Sequence, residues 1–261
     1  MSTDELLFEK NEQVAWIRFN RPQAHNAATV AMYDALDAAL GEIEQDDQVR
    51  VVVLRGEGGK AFVAGTDISH FRHFTSDDDA IGYERRIDQI VGRLEALPCT
   101  TVAVLDGVCA GGGVALALAC DFRYANTKLK FGIPISKTLG NCLSVTNLAR
   151  AIDYLGVTKT KEMLMLGKMF TADEAYALNV VNYIGEPEAL DGAVETLIQE
   201  LLSVAPLTLE AVKLGMQRTL EERRAPQDAS DDYIKRCYTS EDFHGAVEAF
   251  LEKRRYRWKG K

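Results

Sequence analysis

Two kinds of apolar pattern divide the chain. In the first half, short apolar runs of strand length alternate with longer segments whose apolar residues recur at helical spacing. After about residue 140 the helical pattern takes over almost entirely. Strands that alternate with helices of crossover length indicate βαβ units and a parallel sheet. The sequence therefore predicts an α/β fold followed by a helical region.

The individual elements follow from the same pattern. The predicted strands are 13–20, 49–56, 61–65, 100–107, 121–126 and 128–134. A first helix carries Met32, Leu36, Leu40 and Ile43 on one face, with Asn26 as its expected N-cap. Further helices are predicted at 79–97, after the capping-box motif of 171–174, and at 187–204, 207–223 and 240–255.

Composition and charge exclude several function classes. The chain has 261 residues, 47% of them hydrophobic, and a formal net charge of −9, which disfavours binding to nucleic acid or to an anionic membrane. Its five cysteines are odd in number and lack CxxC spacing, which favours free thiols over disulfides or zinc. The amino terminus has no apolar signal segment, so we expect a cytoplasmic protein. No metal is expected, because His70 and His73 lack a third ligand.

Three consecutive glycines, Gly111 to Gly113, stand in the stretch DGVCAGGGVALALACD. Neither the dinucleotide-binding pattern nor the phosphate-binding loop pattern is present around them. They allow a helix to cross close to a strand, or they expose backbone N–H groups at a helix N-terminus that can hold an oxyanion. A second glycine turn, in KAFVAGTDI (60–68), also follows a short strand, so the two turns could converge on one oxygen atom.

Six motifs in this order resemble the crotonase superfamily, the enoyl-CoA hydratase/isomerase fold. They are NRPQAHNA (20–27), AFVAGTDI (61–68), GVCAGGGVALALACD (107–121), KFGIPISKTLG (130–140), GKMFTADEAYALNVVN (167–182) and AFLEKRRYRW (249–258). The resemblance extends from about residue 5 to 258.

The resemblance implies a spiral core of ββα turns at 1–200 and a C-terminal helical region at 201–261 that serves trimerisation and coenzyme A contacts. It also implies a homotrimer or a dimer of trimers. The implied ligand is an acyl-CoA thioester, so coenzyme A is part of the substrate and no separate cofactor is expected.

The resemblance further implies site residues. The backbone N–H groups of Thr66 and Gly112 correspond to the oxyanion hole that holds the thioester carbonyl oxygen. The expected acyl-CoA contacts are Ala64, Thr66, Asp67, Ile68, Gly112, Ile135, Phe250 and Lys253. The basic tail at 252–261 is either a solvated helix end or a partner for the phosphates of coenzyme A.

The chain departs from the family where the hydratases carry two catalytic glutamates. These positions are Ala115 and Ile135 here, and neither side chain can transfer a proton. Hydration by the two-glutamate mechanism is therefore in doubt.

Other polar residues near the motifs are weaker catalytic candidates, for proton transfer or, in the case of Asn141 and Cys142, for orienting a water molecule and for nucleophilic attack. They are Asn141, Ser144 and His70, with Lys137, Cys142 and His73 less favoured. Asp67 and Asp121 are interpreted as structural residues, and Tyr83 and Tyr124 as packing residues.

Two function classes stay open at this point. In the first, the protein is an acyl-CoA enzyme with the family label enoyl-CoA hydratase, a label associated with fatty acid metabolism. Its actual step is then isomerisation, decarboxylation, thioester hydrolysis or retro-aldol cleavage. In the second, it is a catalytically silent acyl-CoA-binding subunit. RNA binding is a third hypothesis, and the net charge of −9 disfavours it.

Overall fold

The computed structural model describes residues 4–261 and has a mixed α/β architecture, as predicted. The strands are β1 (Leu6–Asn11), β2 (Val14–Phe19), β3 (Val51–Gly56), β4 (Ala61–Val63), β5 (Thr100–Leu105), β6 (Val108–Ala110), β7 (Phe122–Asn126), β8 (Lys130–Gly132), β9 (Phe170–Thr171) and β10 (Tyr183–Gly185). The helices are α1 (Val30–Glu44), α2 (Asp77–Ala96), α3 (Gly112–Ala119), α4 (Val145–Met165), α5 (Ala172–Ala177), α6 (Pro187–Ser203), α7 (Pro206–Glu221), α8 (Asp231–Tyr238) and α9 (Glu241–Leu251).

The larger sheet has six strands in the order β1-β2-β3-β5-β7-β10. The β1–β2 pair is antiparallel and every other pair is parallel. β3 and β5 are buried along nearly their whole length, which explains their continuous apolar sequences. Crossover helices between the parallel strands account for the alternating pattern of the first half of the chain.

The smaller sheet has four strands in the order β4-β6-β8-β9. β4 and β6 pair in parallel, so the chain leaves both strands at the same end of the sheet. The turn at Gly65 follows β4 and the turn at Gly111 follows β6. The small sheet therefore brings the two glycine turns to one edge.

The N-cap of α1 is Thr29, and the prediction of Asn26 as the cap is wrong. Thr29 Oγ1 accepts a hydrogen bond from the backbone N–H of Met32 at 3.2 Å. Asn26 is fully buried instead, and its side chain donates to the carbonyl oxygen of Ala61 at 2.8 Å. Its amide therefore holds the loop before α1 against β4.

Helix α2 begins with a capping box in which Ser76 Oγ accepts from the N–H of Asp79 and the Asp79 carboxylate accepts from the N–H of Ser76. It ends before Pro98, close to its predicted bounds. Helix α4 is interrupted at Gly156, whose φ of +65° is not helical.

The C-terminal helices differ in how they pack. α8 and α9 contribute Ile234, Tyr238 and Phe243 to a buried cluster with α2, whereas α7 contributes no buried residue. The predicted division at residue 200 falls inside α6, and it stays a prediction. Within residues 4–261, none of the helices has the length and apolar character needed to cross a bilayer.

Candidate active site

A cavity of about 160 Å³ lies where the two glycine turns meet α2 and the segment that follows β8. Its wall comes from six parts of the chain: the turn after β4, the turn leading into α3, one face of α2, the 133–143 segment, the start of α4 and α8. Phe250 of α9 contributes to the rim, with 48% of its surface exposed. Most of the wall is apolar, as is usual for a small-molecule site.

The backbones of the two glycine turns touch. Gly65 has a φ of +99° and Gly111 a φ of +52°, conformations that favour glycine. A Cβ added at Gly111 would lie 3.2 Å from the Cα of Gly65. A side chain at Gly111 would press against the backbone of Gly65, so this glycine permits the close approach of the two turns.

The N–H group of Thr66 is free of the local β-bridge. Thr66 pairs with Ala28 in an isolated parallel bridge. In that bridge Ala28 donates to Gly65 and Asp67 donates to Ala28, both at 2.8 Å. In a parallel bridge the hydrogen bonds are made by the residues on either side of Thr66, here Gly65 and Asp67. The N–H of Thr66 itself therefore points away from Ala28.

The N–H of Gly112 is likewise available because Gly112 is the first residue of α3, where backbone donors have no partner within the helix. A Cβ built on Gly112 would lie 3.6 Å from Thr66 Oγ1, so the two residues are neighbours. Both line the cavity. Two such donors beside one cavity can stabilise negative charge on a bound oxygen.

Two phenol groups contact the side chain of Thr66. Its Oγ1 is hydrogen-bonded to the phenol of Tyr33 at 3.1 Å and to the phenol of Tyr83 at 2.6 Å. Burial raises the pKa of Tyr33 to about 12 and the pKa of Tyr83 well above its ordinary value, so both phenols are neutral at pH 7. Tyr83, interpreted from the sequence as a packing residue, therefore lines the cavity and fixes the Thr66 side chain.

The positions of the two family glutamates face the same cavity. Ala115 and Ile135 both contribute to its wall. Neither can give or take a proton, so the part of the cavity they occupy is chemically inert.

Glu84 of α2 lines the cavity and is 5% exposed. Tyr238 of α8 donates a hydrogen bond from its phenol to Glu84 Oε1, and Asn141 Nδ2 donates to the same phenol oxygen at 3.1 Å. Burial, followed by the nearby carboxyl of Asp88, raises the pKa of Glu84 to about 7. The hydrogen bond from Tyr238 acts in the opposite direction.

The sequence analysis did not select Glu84, although the sequence contains a signal for it. The buried face of α2 includes Ala80, Ile87, Val91 and Leu94, and Glu84 lies on that face at the same helical spacing. A charged residue at a position that the pattern assigns to the core is a common mark of function.

The weaker sequence candidates fall in different places. Asn141 lines the cavity, and its Oδ1 is buried without a partner among the described residues. Ser144 is the N-cap of α4, and its hydroxyl donates to Asp88 at 2.6 Å. It does not contribute to the cavity wall. The thiol of Cys142 donates to the carbonyl of Tyr233 at 3.7 Å.

His70 lines a second, more open cavity together with His73. The two cavities share Thr66, Tyr83 and Ile87. Burial, followed by the charge of His73, lowers the pKa of His70. Its ring packs at 5.3 Å from the ring of Phe74.

Of the predicted acyl-CoA contacts, Ala64 and Ile68 line the main cavity with the oxyanion turns. Asp67 does not, because its carboxylate caps the turn after it and pairs with Arg21 at 3.0 Å. Lys253 follows α9 and also lies outside the cavity wall. A separate surface pocket contains Lys137, Arg254 and Arg255 beside Phe250.

Comparisons with known proteins agree on one family. The family model described as enoyl-CoA hydratase/isomerase matches residues 9–261. The short-chain-enoyl-CoA hydratase of Clostridium acetobutylicum is 31% identical over 261 residues, which cover 98% of this chain and 97% of that protein.

Solved structures show the same likeness. An enoyl-CoA hydratase/carnithine racemase from Magnetospirillum magneticum is 30% identical with a TM-score of 0.81, covering 100% of this chain and 97% of that one. A methylmalonyl-CoA decarboxylase in complex with 2-nitronate-propionyl-CoA reaches a TM-score of 0.89 at 23% identity, with full coverage of both chains. At that identity the likeness concerns the fold.

Proposed function

Because the chain belongs to the enoyl-CoA hydratase/isomerase family, whose fold is the crotonase fold, we propose that it acts on acyl-CoA thioesters through an enolate. The thioester oxygen lies between the N–H groups of Thr66 and Gly112. Charge that develops on this oxygen when the α-carbon loses a proton is stabilised by both donors. The observation that carries the proposal is the contact between the two glycine turns beside one cavity.

The remaining contacts in the proposal follow the lining of the cavity and its rim. Ala64, Ile68 and Phe250 supply apolar contacts for the pantetheine arm. The neighbouring cluster of Lys137, Arg254 and Arg255 supplies positive charge for the phosphates. Lys253, one residue before Arg254, adds to this charge, and Asp67 acts indirectly by shaping the turn.

The proposed reaction needs fewer proton-transfer groups than hydration of a double bond by two glutamates. Ala115 and Ile135 remove both of those groups from the cavity wall. Isomerisation and decarboxylation are compatible with a single acid or base beside the enolate. The same substitutions favour the second candidate function, a subunit that binds acyl-CoA without converting it.

A reaction-independent experiment separates the two candidates. Butyryl-CoA is incubated with the protein in D₂O, and deuterium at its α-carbon is followed by mass spectrometry, while binding is measured by calorimetry against free coenzyme A. An enolate-forming enzyme binds butyryl-CoA and exchanges its α-protons. Binding without exchange supports the silent subunit, and absence of binding contradicts both candidates.

Gly112→Ala tests the oxyanion site directly. The added Cβ would lie 2.7 Å from the phenol oxygen of Tyr33 and would narrow the space in front of the amide. We expect the exchange rate to fall at least about tenfold, because the methyl group keeps the thioester oxygen away from a donor whose complete loss would cost about 10² to 10³ in rate. Gly92→Ala on α2 is the matched control, because no atom lies within 4 Å of its added Cβ. Equal exchange by both variants would contradict the proposed oxyanion site.

A further inference from the structure

The buried wall formed by Glu84, Tyr238 and Asn141 faces the cavity that holds the two oxyanion amides. We infer that Glu84 is the catalytic residue that takes the α-proton of the bound acyl thioester and returns it. This inference rests on the proposed function, and it assigns the proton transfer to α2 rather than to the positions of Ala115 and Ile135.

The composition of the cavity wall leads to this choice. Among the cavity-lining residues in the described part of the chain, Glu84 carries the single carboxyl group. The other polar side chains of the wall are hydroxyls, phenols and amides: Thr66, Thr138, Tyr83, Tyr238, Asn141 and Asn147. None of these is an effective base at neutral pH. A carboxyl group in the same cavity as the thioester site is therefore the best-placed proton acceptor.

The surroundings of Glu84 suit a group that exchanges protons. Its carboxyl is buried, and the phenol of Tyr238 donates to Oε1. Asn141 in turn donates to Tyr238, so α8 and the 133–143 segment hold the carboxyl in one orientation. A fixed acceptor loses little orientational freedom when the substrate binds.

The ionisable groups around Glu84 come from four parts of the chain, and none of them is cationic. They are Tyr33 of α1, Tyr83 and Asp88 of α2, Cys142 of the loop before α4, and Tyr233 and Tyr238 of α8. Burial and the charge of Asp88 raise the pKa of Glu84 to about 7, while Tyr238 and the backbone N–H of Ser144 lower it. A pKa near the working pH suits a general base that also returns the proton.

The inferred step is a balanced proton transfer. The carboxylate of Glu84 takes a proton from the α-carbon, and the C–H electron pair forms the double bond of the enolate. The carbonyl π pair moves to the thioester oxygen, where the N–H groups of Thr66 and Gly112 stabilise it. The carboxylic acid then returns a proton to the α-carbon, or to the γ-carbon of an enoyl group, which completes an isomerisation.

The test is α-proton exchange of butyryl-CoA in D₂O by Glu84→Gln, with binding measured on the same preparation. We expect exchange to fall about 10² to 10⁴-fold, the usual contribution of a positioned acid or base. Binding of butyryl-CoA is expected to stay within about threefold, because glutamine has the same size and still accepts from Tyr238. Glu84→Asp, which keeps the carboxyl, is expected to recover part of the exchange.

The pH profile distinguishes catalysis from a structural role. We expect the wild-type exchange rate to rise with pH and to level off above an inflection near 7. Asp88→Asn removes a negative charge from outside the cavity wall and moves the inflection to lower pH. Tyr238→Phe removes the hydrogen bond to the carboxylate and moves it to higher pH. A base elsewhere would leave the inflection unchanged in both variants.

The outcomes separate the two proposals. Wild-type protein that does not exchange the α-protons of butyryl-CoA, whether or not it binds the thioester, contradicts the proposed enolate chemistry itself. Wild-type exchange that Glu84→Gln matches, with equal binding, contradicts only the role of Glu84. Loss of exchange with retained binding, together with opposite shifts of the inflection in the Asp88 and Tyr238 variants, supports the inference.

Discussion

The Glu84 carboxyl imposes a cost on the folded chain above neutral pH. Its pKa rises from 4.5 to about 7 because the side chain is buried, so the folded state binds this proton more tightly than the unfolded state does. The tighter proton binding adds to the free energy of unfolding. This contribution is fully present below pH 4.5 and is lost as the pH rises through 7.

Glu84→Gln should remove this pH dependence. Between pH 5 and pH 8.5 we expect the free energy of unfolding of the wild type to fall by about 2 kcal/mol relative to that of the variant. Urea unfolding of both proteins at the two pH values measures the difference. A gap that does not widen with pH would show that the carboxyl titrates at its ordinary value.

The site was only partly predictable at the level of single residues. The motifs identified both glycine turns and the two inert positions, because each is a local pattern of sequence. They could not identify Glu84, whose role depends on packing α2 against a cavity whose other walls come from segments as far apart in sequence as Ala64 and Phe250. The position of Asn26 before a helix predicts a cap, because the sequence does not show that its side chain turns inward to β4.

Gly113 has a packing role that differs from the role of Gly112. A Cβ at Gly113 would lie 2.1 Å from the carbonyl oxygen of Val63, which is backbone in β4 and cannot move aside. We expect Gly113→Ala to lower the free energy of unfolding by about 2 kcal/mol or more, as overpacking of a core does. Thermal unfolding measures the change, with Gly92→Ala as the control that should stay close to wild type. Equal melting temperatures for the two variants would show that α3 can shift away from β4.

At the scale of elements, one carboxylate connects three helical segments. Glu95 near the end of α2 pairs with Arg150 of α4 at 2.8 Å and with Arg224, just after α7, at 3.0 Å. The side chain of Arg150 is 1% exposed, so its charge depends on Glu95 for compensation.

Glu95→Gln should therefore destabilise the protein by about 3 to 5 kcal/mol, since it leaves a buried guanidinium without its counter-charge. Asp34→Asn is the matched control, because it breaks an exposed pair between α1 and Arg86 of α2 and should cost less than about 1 kcal/mol. Urea unfolding at pH 7 compares the two. A similarly small loss of unfolding free energy in both variants would mean that water reaches Arg150.

Element prediction succeeded where the burial pattern is simple. β3 and β5 are continuous apolar runs, and α1 has a regular apolar face, so each was located within a few residues. The sequence pattern does not predict β1, because only the first residue of that strand is buried. It does not predict α8, because that helix is short. These elements are stabilised by partners distant in sequence, which no local pattern displays.

At the scale of the whole molecule, α7 has an apolar surface without cover in the single chain. Leu207 and Leu214 are 77% and 42% exposed, and no residue of α7 is buried. Leu207 and Leu214 lie two turns apart and share one face of the helix. Exposed apolar residues on one helix face are typical of a subunit interface.

The family resemblance implies a homotrimer or a dimer of trimers, and we expect α7 to lie in its interface. Sedimentation or light scattering should give three times the 28.8 kDa of one chain, or six times for a dimer of trimers. Replacing both Leu207 and Leu214 by aspartate should reduce the mass, because two charges would be buried without partners. Val157→Asp, at a position 55% exposed on α4, controls for added surface charge and should keep the assembly. A monomeric wild type, or a double variant with unchanged mass, would place any interface elsewhere than α7.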